Sequence, residues 1–191
     1  MTGTDTGTYH ALVQRLVALA APWNSAYSDS KVIAVAVVFA HVAGLVIAGG
    51  FAVAADRSTF RAWRAGGGDA GLAARSHHLA ELRAVHRPVV VGLVIVNVSG
   101  VLLFLADVKT YAASVAFGVK LLLVALLLVN GLWMTRAEEQ LRADNASAPA
   151  VGPRGGRPQA DRTWHRLRVA AAASAVLWVA TTFVGVVLSN G

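Results

Sequence analysis

VIAVAVVFAHVAGLVIAGGFAVAA, Val32 to Ala55, decides what kind of protein this is. The stretch carries no formal charge, and its one strongly polar side chain is His41, near the middle. At a helical rise of about 1.5 Å per residue it reaches about 36 Å, enough to cross a hydrocarbon layer of roughly 30 Å. Small residues recur at every fourth position, Ala36, Ala40, Gly44, Ala48 and Ala52, with His41 beside them. Such a ridge lets a second helix come close.

The rest of the 191-residue chain has the same character, with 56% hydrophobic residues, 14% charged residues and a mean hydropathy of +0.58. Outward from the first span, three further apolar stretches follow at Val89–Ala106, Ala112–Met134 and Val169–Leu188. The fold class expected is all-α integral membrane, a bundle of four transmembrane helices at about 32–55, 89–106, 112–134 and 169–188 in one domain, 32–189. The amino half of the last span is almost all alanine, a second surface for close helix contact. Residues 1–31 read as a polar tail and an interfacial amphipathic helix over Tyr9–Ala21, ended by Pro22 and followed by Trp23 and Tyr27 at headgroup level. A cleaved signal peptide is the competing reading, opposed by Asp5 near the start and by Arg15 inside the apolar run. Leu72–His86 reads as a short helix, and Pro88 suits the first turn of the next one. Residues 144–161, rich in Ala, Pro and Gly without periodicity, read as a flexible loop.

Arginines set the expected orientation. Counting Arg87 and Arg168, the connections after spans one and three carry six and seven basic residues, whereas Lys109 is the lone basic residue between spans two and three. Basic connections stay inside, so both termini are expected outside a bacterial inner membrane. The net charge of +7 is thereby assigned to topology and anionic lipid, not to nucleic acid. With no cysteine, the chain offers no thiolate metal site, iron–sulfur cluster or c-type haem attachment. No Walker loop, dinucleotide fingerprint, metalloprotease motif or nucleophile elbow marks it as an enzyme.

Helix rise places the polar residues in depth. His41, Asn97 and Lys120 each lie about 15 Å from the nearer expected boundary of their own span, which puts all three near the midplane. They are the candidates for a ligand or proton-linked site. An amine at that depth costs on the order of 3 kcal/mol and calls for a partner or a cavity. The structural alternatives are a snorkelling Lys120 paired with Asp107, a core His41 bonded to Asn97 or a carbonyl, and interhelical hydrogen bonds from Asn97 and Asn130. A haem b held by His41 and His86 is excluded by a depth difference of about 20 Å, while haem beside His41 and Lys120, or copper, stays open as a cofactor. A secondary metal candidate is formed by His77, His78, Glu81 and His86, with a solvated helix face as the alternative. Asp56 and Arg57 read as a structural ion pair with the neighbouring connection.

Ser99 to Leu132, SGVLLFLADVKTYAASVAFGVKLLLVALLLVNGL, resembles a signature of uncharacterised four-helix bacterial inner-membrane proteins: Gly-Leu-Leu-Phe closing one span, Asp and Tyr in a short connection, then Phe, an intramembrane Lys and a late Asn. His41, Gly49-Gly50 and Asp56-Arg57 look like the first span of such proteins. More remotely, the layout is similar to the membrane domain of copper-resistance protein D, which implies copper import. Soft Cu(I) favours thiolate and thioether ligands, and this chain has no Cys and only Met1 and Met134. Two classes of function follow. One is a central site binding or transporting a metal, haem, quinone or proton; the other is a non-catalytic subunit or scaffold whose small-residue ridges meet a membrane partner or a second copy.

Overall fold

The computed structural model describes residues 3–64, 68–146 and 158–190, and among them there are six helices and no strand. They are α1 (Gly3–Asp29), α2 (Lys31–Arg64), α3 (Gly68–Ala106), α4 (Val108–Ala113), α5 (Val115–Ala146) and α6 (Pro158–Asn190). Four contain segments long and apolar enough to cross a membrane, Lys31–Ala62, Ala84–Ala106, Val115–Ala143 and Arg162–Leu188. The protein is an all-α membrane helix bundle.

Breaks between helices fall where a short side chain can cap a helix start. Ser30 Oγ accepts from Ile33 N at the start of α2, Asp107 Oδ1 accepts from Thr110 N at the start of α4, and Ser114 Oγ accepts from Phe117 N at the start of α5. Each cap satisfies an amide that a helix start leaves without a partner. Asp107 is thus committed to α4.

Two prolines do not end helices where the sequence suggested. The helix expected over Tyr9–Ala21 continues through Pro22 to Asp29, and the expected break at Pro88 lies inside the continuous α3. A proline costs a helix its i−4 hydrogen bond, and tertiary anchoring offsets that at Pro22. Trp23 Nε1 donates to Leu102 O at 2.8 Å, Asn24 Nδ2 donates to Ala106 O, and Tyr9 OH donates to Ala112 O at 2.7 Å. α1 therefore lies across the ends of α3 and α4, and the carbonyls of Ala106 and Ala112 that its side chains reach are among those that helix termini leave open. For Pro88 we find no comparable anchor. The expected loop at 144–161 is shortened by α5 running to Ala146 and α6 starting at Pro158; residues 147–157 lie outside those described.

α2 and α3 pack closely along one register. A Cβ on Gly44 would stand 2.8 Å from Val96 Cγ2, and one on Gly92 would stand 2.6 Å from Ala48 N, so the backbones meet where side chains are missing. α2 turns another side to α6, where Gly49 receives the Trp178 ring. α5 packs along α6, with Asn130 Nδ2 donating to Ala170 O at 3.0 Å. The order is α3, α2, α6, α5: an open array in which α3 and α5 approach through α4 and the stacked rings of Phe104 and Phe117, 5.2 Å apart.

The tightest apolar core lies at the arginine-rich end of the bundle. Ala55, Ala62, Leu82, Leu141, Trp164 and Leu167 form one buried cluster, joined by Val85, Met134 and Ala137. By contrast, none of the apolar window of α5 is buried. The division is physical: lipid solvates the apolar surface along the middle of the spans, while at their arginine-rich ends, towards water, the helices must bury theirs against each other.

Candidate functional site

His41 projects from α2 onto α3. Its Nδ1 lies 3.0 Å from Ser99 Oγ, and Ser99 Oγ in turn donates to Ile95 O at 2.6 Å. With the hydroxyl hydrogen committed to that carbonyl, Ser99 can only accept from the imidazole, so Nδ1 carries the proton and Nε2 is left as a bare lone pair. Nε2 is buried and has no hydrogen-bond partner among the described residues. A Cβ on Gly100 would stand 3.4 Å from His41 Cε1, so the ring lies against the glycine face of α3.

Lys120 reaches the same level from α5. A Cβ on Gly185 of α6 would stand 3.5 Å from its Nζ. Antiparallel register explains the shared depth. His41 lies about two turns beyond Gly49, the α2 partner of Trp178, and Gly185 lies about two turns beyond Trp178 in the same direction. Among the described residues no carboxylate pairs with Lys120. Asp107 is exposed and bonded to its own helix start, so it does not neutralise the amine.

Asn97 does not join them. It is exposed, and its Nδ2 donates to Leu93 O of its own helix at 2.8 Å. Its depth agrees with that of His41, but its side of α3 is the wrong one. Ser99 takes the place at His41 that the sequence reading gave to Asn97. The spacing Gly92, Val96, Ser99, which follows one helix face, was the signal that would have selected it.

The other candidates lie apart from this centre. His86 is exposed, and on α3 it is separated from the Ser99–Gly100 level of His41 by about 20 Å of helix. His77 and Glu81 form an exposed i,i+4 pair with Nδ1 to Oε1 3.6 Å, and the side chain of His78 lies outside the described set. Among the described residues no group of three or more His, Asp or Glu side chains converges as a metal site. Among the described residues Asp56 makes no ion pair; it is 3% exposed and hydrogen-bonded to Ser174 of α6. No family model, curated protein or solved structure matches this chain.

An imidazole with a fixed proton on one nitrogen and a lone pair on the other can accept a hydrogen bond or ligate a metal through Nε2. The amine at the same level can donate to an oxygen or balance negative charge. Together they suit an acidic hydroxyl and a second oxygen on one small headgroup.

Proposed function

We propose that the protein binds the headgroup of a lipid-soluble quinol at the centre of the membrane, with His41 Nε2 accepting the quinol hydroxyl and Lys120 donating to the opposite oxygen. The observation that carries this reading is the buried, unpartnered Nε2 of His41. Leaving such an acceptor without a bond costs roughly 1–3 kcal/mol, which a ligand hydroxyl recovers. Lys120, without a described counter-ion, supports a ligand rich in oxygen over an apolar one. In this reading the seam between α3 and α5, where the rings of Phe104 and Phe117 meet, is the way in from the lipid, and aromatic rings there are suited to stack on a quinol ring.

A quinol offers Nε2 a hydrogen and a quinone does not, so the reduced form should bind the more tightly. The test is titration of the protein in nanodiscs with a short-chain quinol and its quinone. We expect quinol affinity to fall about tenfold or more in His41→Ala and in Lys120→Met, corresponding to about 1.4 kcal/mol or more. Asn97→Ala should match the wild type. Equal affinities for His41→Ala and wild type would refute the proposal.

A further inference from the structure

The seam between α2 and α6 holds a second set of polar groups that the His41 centre does not use. Asp56 on α2 is 3% exposed, and Ser174 and Thr181 on α6 are 5% and 3% exposed. Asp56 is bonded to Ser174, yet its Oδ2 is buried without a partner, as is Thr181 Oγ1. On its own helix, the Ser58 and Thr59 hydroxyls both donate to Ala55 O, and Arg57 is exposed. On α3, His86 and Arg87 are exposed; on α5, Glu138 lies 3.7 Å from Arg142. Among the described residues no cation is paired with Asp56.

A carboxylate closed away from water, with one oxygen unpaired and no counter-charge, is among the most costly groups a fold can hold. A metal ion would relieve it only with more donors, since calcium and magnesium take about six oxygens, and here the side-chain oxygens are those of Asp56 and Ser174. A proton needs one. We infer that Asp56 is an exchangeable proton-binding site, its carboxyl enclosed in the α2/α6 seam beside Ser174. Oδ2 takes the proton from water at the arginine-rich end of the bundle and returns it there. On α6, Ser174, Thr181 and Gly185 follow one helix face, and Gly185 touches Lys120, so the same face of α6 runs from Asp56 towards the centre of the membrane. The inference stands independently of the ligand at His41.

The test uses the full chain in lipid vesicles at neutral pH, treated with dicyclohexylcarbodiimide. A protonated carboxyl gives its hydrogen to one carbodiimide nitrogen and bonds its oxygen to the central carbon; an acyl shift to nitrogen then leaves a stable acylurea containing the whole reagent. Peptide mass mapping should find the adduct on Asp56, reduced at least tenfold in Asp56→Asn. Infrared spectra of the same vesicles should show a protonated-carboxyl band that shifts in D2O, disappears in Asp56→Asn and persists in Glu138→Gln. A spectrum with no Asp56-dependent carboxyl band would mean that Asp56 is ionised, and would overturn the inference whether or not the reagent reaches it. An Asp56→Asn protein that does not fold would do the same, because the amide is nearly isosteric with the protonated acid.

Discussion

Single atoms decide most of what is specific here. At Gly92 a methyl group would meet Ala48 N at 2.6 Å, a backbone atom that cannot rotate away. Gly92→Ala should therefore separate α2 from α3 and cost about 1–3 kcal/mol of stability, the usual range for overpacking. Gly50 and Gly131, with nothing within 4 Å of an added Cβ, should tolerate alanine or gain from its helix propensity. Thermal unfolding in detergent distinguishes the three variants, and a Gly92→Ala protein as stable as Gly50→Ala would contradict the packing described. At this scale the sequence was partly legible. Depth arithmetic placed His41 and Lys120 at one level, because helix rise is fixed. It could not choose the helix face, so Asn97 was preferred to Ser99, although the two differ by about 200° around α3.

At the scale of the element, the helices are longer than their apolar stretches. The ridge in α2 was readable from its four-residue spacing, and Gly44 and Ala48 do meet α3. The buried cluster at the arginine-rich end was not, because its members are scattered among charged residues. Met134, Ala137 and Leu141 on α5, and Trp164 and Leu167 on α6, nevertheless follow the three-and-four spacing of an apolar helix face. Leu167, at 0% exposure, is the centre of this cluster. Leu167→Ala should lower stability by about 2–5 kcal/mol, whereas Val176→Ala, on a lipid-facing position of the same helix at 68% exposure, should change it by about 0.5 kcal/mol or less. Denaturation monitored by loss of helix signal measures both, and equal losses would show that the buried cluster at the arginine-rich end does not hold the bundle. Pro22 and Pro88 mark the limit of local rules. Each suggested a helix boundary, and at Pro22 the bonds from Trp23 and Asn24 to α3 explain why the helix continues.

For the whole molecule, the membrane class was written in composition and in four apolar runs, since lipid as solvent demands them. The order of helices in the array was not, because spans of similar hydropathy can be neighbours in any arrangement. That order is what brings α2, α3, α5 and α6 to one level at His41 and leaves α3 and α5 apart. The account depends on an imidazole whose proton sits on Nδ1 and whose Nε2 waits for a donor. Nitrogen-15 NMR of histidine-labelled protein in lipid reads both directly, with the His41 signals assigned by their loss in His41→Ala. The expected spectrum is that of a neutral ring protonated at Nδ1, with an Nε2 resonance that shifts when a short-chain quinol is added and stays in place with an apolar analogue lacking the hydroxyls. A ring protonated at Nε2, or an Nε2 signal indifferent to the quinol, would contradict it.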